Sequence, residues 1–215
     1  MPGIGLDTAT YSRSRLDPEE ILGARQAFGL PRDAPYFVVV AELSQRKRNA
    51  DAIEALSRMS HREAALILLG QGPEREHLED LARERGVGDR VRFGGFVEDV
   101  RPIVAGAAAL LLASDREGLA RAIMEALALE VPVIASTARG NAELVEPESG
   151  VLVPTGDVIG FAAAMDRMLD RPRDRERMGA HGRARMVARY DIEHLLLLHE
   201  RMYAGMLAER RREPV

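Results

Sequence analysis

A chain of 215 residues can form one large domain or two small ones. Its 46% apolar content supplies a core, which 4% aromatic residues and no tryptophan oblige it to build from Leu, Val, Ile and Ala. The absence of cysteine excludes disulfides, a thiolate metal site and a thiol nucleophile, and a net charge of −4 argues against general nucleic-acid binding. No run approaches the length of a membrane span and the N-terminus has no signal-peptide pattern, so a cytoplasmic protein is expected.

Residues 1–15 have no strong periodicity. Asp17-Pro18-Glu19-Glu20 reads as an N-cap with proline at the first helical position, starting a helix to about Gly29. Tyr36 to Leu43 is a continuous apolar run, the pattern of a parallel strand covered on both faces. A dinucleotide-binding unit would follow it with a glycine-rich turn; here Ser44-Gln45-Arg46-Lys47-Arg48-Asn49 follows, with three adjacent cations suited to an anion. An amphipathic helix is predicted over Ala50 to Met59 and a strand over Ala65 to Leu69. Gly70-Gln71-Gly72-Pro73 then lets backbone approach a ligand closely, or makes a plain strand-to-helix turn, before a charge-rich, solvated helix over Glu74 to Arg85. Val91 to Phe93 forms a short strand leading to Phe96 and Val97.

Ala107 to Ala113 reads as another buried strand, followed by a tight turn, a helix from near Leu119, and a strand over Val131 to Ala135. Glu117 falls in that turn beside Gly118, and Glu125 lies eight positions on, about two turns into the helix. The amides of Gly118, Leu119 and Ala120 are expected to point out of the carboxyl edge of the sheet with the helix dipole behind them, a geometry suited to phosphate. A neighbouring carboxylate suits sugar or ribose hydroxyls. Arg139 opens a short helix, Val151 to Val153 is a last strand, and Thr155-Gly156-Asp157 starts a helix through Met168. Arg171 to Arg189 is helical and charged; a final helix from Tyr190-Asp191 to about Arg212 should bury a stripe of Leu195, Leu198, Met202 and Met206. The histidines, His61, His77, His181, His194 and His199, are scattered over predicted helices, and no metal site or cofactor is expected.

Strands alternating with helices specify an α/β, doubly wound parallel sheet. Ligands on such sheets sit at the carboxyl ends of the strands. Arg46 and Lys47, Gly70 and Gly72, Phe96, and Glu117 to Ala120 all fall at those ends.

The stretch Glu117 to Glu125 resembles the E-x7-E motif of retaining glycosyltransferases with the GT-B fold, of the family 4 type. The resemblance continues through Pro132 to Ser136, Gly140 to Glu143, Gly150 to Pro154 and Gly156-Asp157, and extends back to Gly70-Gln71-Gly72-Pro73-Glu74. It implies a Rossmann-like C-terminal, donor-binding half: residues 1–15 a linker from an N-terminal acceptor domain, 16–190 the nucleotide-sugar domain, 191–215 a helix crossing back. It further implies transfer of a sugar from a UDP- or GDP-sugar to a hydroxyl with retention, without an essential metal. Lys47 matches the family's phosphate-binding lysine; Glu42 stands where the family has an arginine, so that either Arg46 substitutes or the phosphate grip is weaker. By the same resemblance Glu125 holds the ribose, Glu117 holds the donor sugar, and Phe96 and Val97 lie near the base, Phe96 otherwise being core. The chain alone is then expected to be inactive without an acceptor domain or subunit. A non-catalytic nucleotide-sugar-binding subunit and a GT-B-fold epimerase are the alternative readings. The terminal Arg210-Arg211-Arg212 allows at most a peripheral contact with acidic lipid.

Overall fold

A computed structural model describes the backbone of residues 4–210 and the side chains of residues 4–203. The apolar runs become β1 (Tyr36–Val40), β2 (Ala65–Leu69), β3 (Val91–Gly95), β4 (Ala109–Leu112), β5 (Val133–Ser136) and β6 (Gly150–Val153). They form one six-stranded sheet in the order β3-β2-β1-β4-β5-β6, every neighbouring pair parallel. Tyr36 pairs with Ala65 and Val40 with Leu69, so β1 and β2 run in full register at the centre.

Helices cover both faces because side chains alternate along each strand. Phe37, Val39, Leu66, Leu68 and Leu111 point to one face, where α2 (Asn49–Arg58), α3 (Arg75–Glu84) and α7 (Val158–Asp170) pack. Tyr36, Val38, Ile67, Leu110 and Leu112 point to the other, under α4 (Arg101–Ala105), α5 (Arg121–Ala128), α6 (Arg139–Leu144) and α8 (Pro172–Tyr190). The first helix, α1 (Pro18–Ala27), starts as its sequence predicts, with Asp17 and Glu20 closing a capping box. Asp157 likewise caps α7 by accepting from the Gly160 amide at 2.9 Å.

Several expectations need correction. The β1 strand ends at Val40: the Ala41 amide still bonds the Leu69 carbonyl of β2, and the Leu43 amide bonds the Gln71 carbonyl in the loop beyond it. The charge-rich α3 is amphipathic, burying Leu78, Leu81 and Ala82. The short α4 had no predicted counterpart. On α9 (Ile192–Arg210) Leu195 is buried and Leu198 half-buried, but Met202 is exposed, so among the described side chains the buried stripe stops short of Met202. The Met206 side chain and the Arg210-Arg211-Arg212 contact lie outside the described side chains. The segment before α1 is anchored: the Leu6 amide donates to the Tyr190 carbonyl (2.8 Å), the Ile192 amide to the Leu6 carbonyl (3.0 Å), and the Arg183 guanidinium to the carbonyls of Thr8 and Tyr11. No described helix is long and apolar enough to cross a membrane.

The loop before β2 is tied to α7 through His61, whose Nε2 lies 3.0 Å from Asp170 and Nδ1 2.9 Å from Glu63. Asp170 first and Glu63 second raise its pKa above the ordinary 6.5. A pKa raised on folding contributes stability that is complete below the unfolded value and lost as pH rises through the folded one. His61→Asn is therefore expected to lower the melting temperature at pH 5.5 and to change it far less at pH 9; a pH-independent difference would contradict this.

Candidate functional site

The strand order reverses between β1 and β4, and this is where a doubly wound sheet opens a crevice at its carboxyl edge. After β1 the chain makes a 3-10 turn over Gln45–Lys47 and passes through Arg48 in the left-handed conformation (φ 49°, ψ 40°) into α2. After β4 it leaves the sheet through Ser114, bends at Asp115 and bends again at Gly118 and Leu119 before Ala120. The two loops are joined by the Asp115 amide, which donates to the Arg46 carbonyl at 3.0 Å.

That junction brings Lys47 and Glu117, seventy positions apart, into a 2.6 Å ion pair. The two side chains are 16% and 9% exposed, so the pair sits in a partly desolvated crevice where each charge depends on the other. Arg46 is exposed and its side chain makes no ion pair among the described residues. Glu42 is also exposed, accepting from the Ser44 hydroxyl at 3.2 Å.

The helix after Glu117 begins at Arg121, with Ala120 as its N-cap, two residues later than expected. Gly118 and Leu119 form the bend that precedes it. Among the described residues, the amides of Gly118, Leu119 and Ala120 donate to no protein acceptor. Glu125 is 8% exposed on α5, and Arg121, one turn earlier, donates from Nε to its carboxylate at 2.7 Å. Burial, and Glu125 beside it, push the Tyr11 phenol pKa up, so this carboxylate is also faced by the N-terminal segment. The structure thus brings Lys47 and Glu117 together and gives Glu125 a separate partner.

Gly70 and Gly72 are explained by backbone packing. A Cβ on Gly70 would overlap the Ala41 carbonyl, and one on Gly72 the Leu43 carbonyl. The Gly70 amide is used within the protein, donating to the Gly95 carbonyl at 2.7 Å. Phe96 is not core: it is 76% exposed at the rim of a cavity of about 290 Å³ lined by Val40, Glu42, Gly70, Gln71, Val97 and Val100.

Other parts of this edge had no role assigned from the sequence, although Ser136 and Gly140 to Glu143 lie in the stretches that carry the family resemblance. Arg121 was legible as an i,i+4 partner of Glu125. Gly140 on α6 lies against the Glu117-Gly118 turn so closely that a Cβ would overlap the Gly118 carbonyl and sit 2.8 Å from the Glu117 backbone carbonyl oxygen. Beneath the same turn, the buried Ser136 hydroxyl donates to the Ser114 carbonyl at 2.5 Å and Asn141 Nδ2 to the Ser136 oxygens at 3.1 and 3.2 Å. At the opposite edge of the sheet Glu146, Glu148 and His181 cluster, but Arg185 already pairs with Glu146 at 2.9 Å.

Residues 23–185 match the family described as Glycosyl transferases group 1. The chain is 35% identical over 183 residues to the lipopolysaccharide core biosynthesis glycosyltransferase LpsD of Rhizobium meliloti, covering 85% of this chain and 52% of LpsD. Anabaena Alr3699/HepE, solved in complex with UDP, superposes with a TM-score of 0.85 at 24% identity, over 95% of this chain and 56% of that one. The C-terminal domain of the group 1 glycosyl transferase LpcC of Francisella tularensis superposes with a TM-score of 0.76 at 21% identity, over 87% of this chain and 100% of that structure. At these identities both likenesses concern the fold. The chain spans about half the length of the curated relatives it matches. With a matched span that takes in the parallel sheet, Lys47, Glu117 and Glu125, the chain belongs to the glycosyl transferases group 1 family.

Proposed function

We propose that this chain is the donor-binding half of a retaining glycosyltransferase that moves a sugar from a nucleoside diphosphate to a hydroxyl. The observation that carries the reading is the Lys47–Glu117 pair, a cation and a carboxylate delivered by separate loops to the point where the strand order reverses. Departure of a nucleoside diphosphate develops negative charge, and a preorganised ammonium in a partly dry crevice stabilises it. Lys47 takes that role, with Arg46 able to swing in from solvent and the amides of Gly118, Leu119 and Ala120, just before α5, adding dipoles. Glu117 accepts hydrogen bonds from the donor sugar, Glu125 from the ribose, and the base lies along Phe96 and Val97. HepE, whose fold this chain shares, is solved with UDP, which supports a uridine nucleotide as the first ligand to try.

The acceptor hydroxyl in this reading comes from a second domain or subunit. The exposed apolar residues on α9, Leu196, Leu197, Met202 and Tyr203, support such a partner. Calorimetric titration of the chain with UDP, GDP and uridine is expected to show saturable binding of a diphosphate, with uridine weaker. Sugar transfer is expected only after an acceptor half is added. No saturable binding of any nucleoside diphosphate or nucleotide sugar would sink the reading.

A further inference from the structure

We infer that Arg48 is a positioning residue that ties the Lys47 turn to the loops after β4 and β6; this rests on the donor-site reading above. Its backbone lies in the left-handed region, which glycine adopts freely and arginine resists. An arginine kept there needs compensating contacts, and it makes them. Nε and Nη2 donate to the two oxygens of Asp51 at 2.8 and 3.1 Å, a bidentate grip one turn along α2. Nη1 lies 3.5 Å from Asp115, the residue whose amide already bonds the Arg46 carbonyl. The same guanidinium packs on Gly156 after β6, where a Cβ would stand 3.3 Å from Nη2.

Arg48 directly follows Lys47, and Asp115 lies two residues before Glu117. A tether between Arg48 and Asp115 therefore acts beside the contact that sets the two charges of the crevice against each other. With Asp51, Asp115 and Gly156 around it, the guanidinium is committed to the loops. Its contribution to a ligand is indirect, through where Lys47 is held.

Glycine at this position relieves the backbone but removes the tether and leaves the Asp51 carboxylate, 11% exposed, without its partner, so Arg48→Gly is expected to fold with a melting temperature below that of the parent. The readout is the ratio of UDP to uridine affinity by calorimetry, which general loosening of the fold does not move selectively. That ratio is expected to fall about tenfold in Arg48→Gly, the coupling typical of residues within one network. In Asp115→Asn, which keeps the backbone bond and loses one exposed ion pair, it should fall about threefold. An unchanged ratio in Arg48→Gly overturns the proposal and leaves the donor reading standing. A ratio that rises in Asp115→Asn also overturns it, because an arginine freed from the carboxylate would then be binding phosphate itself. If Arg48→Gly does not fold, Asp115→Asn decides alone, and an unchanged ratio there overturns the proposal. A parent chain with no preference for UDP over uridine removes the donor reading, and the proposal with it.

Discussion

Replacing Lys47 by alanine is expected to weaken UDP binding by about 1.5–3 kcal/mol, roughly 10- to 150-fold, and to leave uridine binding nearly unchanged. The reason is the position of the ammonium. It lies at the carboxyl edge between β1 and β4 with little access to water, where a charge-assisted contact to phosphate is worth more than at a free surface. In the unliganded protein the same ammonium is held at 2.6 Å by Glu117, so a diphosphate competes with a carboxylate for it. This gives an opposite sign for the partner. Glu117→Gln removes the competitor and is expected to raise affinity for UDP, while the nucleotide sugar gains less because its hydroxyls lose a strong acceptor. Removal of the cation leaves a carboxylate that is 9% exposed without its partner, whereas the flexible lysine stem freed by Glu117→Gln can turn to solvent. Lys47→Ala should therefore also be the less stable of the two variants. Equal losses for UDP and uridine in Lys47→Ala would show that the pair serves the fold alone, and weaker UDP binding in Glu117→Gln would remove the competition.

Gly140→Ala is expected to destabilise the protein by about 3 kcal/mol, the upper part of the range for forcing one extra carbon into a packed interior. In a chain of this size that lowers the melting temperature by roughly 6–12 °C. The added Cβ would overlap the Gly118 carbonyl, so either α6 or the Glu117-Gly118 turn must move. Neither moves easily: α6 is fixed by Asn141 on the Ser136 oxygens, and the turn is fixed from below by Ser136 on the Ser114 carbonyl. A shift of the turn carries Glu117 away from Lys47, and UDP affinity should change along with stability. Gly23→Ala is the matched control. Gly23 is exposed within α1 and a Cβ there meets nothing within 4 Å, so the substitution should stabilise by about 0.5–1 kcal/mol. Similar melting temperatures for the two variants would mean that the crowding at Gly140 is relieved without consequence.

Much of the architecture was legible from local pattern. Tyr36 to Val40 and Ala65 to Leu69 are apolar at every position, which only a sheet covered on both faces requires, and the parallel fold follows. Asp17 and Asp157 announce their helices because capping is a contact over two or three residues. Lys47 and Glu117 were candidates from their places at strand ends, and Glu125 from its spacing to Glu117 and from the family resemblance.

What the sequence alone left open depends on contacts between distant segments. The Lys47–Glu117 pair spans seventy positions and exists because β4, not β2 or β5, lies beside β1 on that side. Arg48 looks like the third cation of a basic turn; its left-handed backbone and its contact with Asp115 appear only when the loops meet. Gly70 and Gly72 read as a ligand loop, yet what forbids a side chain there is the approach of the β1 loop at Ala41 and Leu43. The apolar spacing on α9 reads as a buried stripe, but burial needs a covering surface, and at Met202 the described residues leave the side chain exposed. Propensity and capping act within a turn or two of the chain. Charge pairing, backbone crowding and burial are set by which strands become neighbours, and that is decided by the tertiary structure.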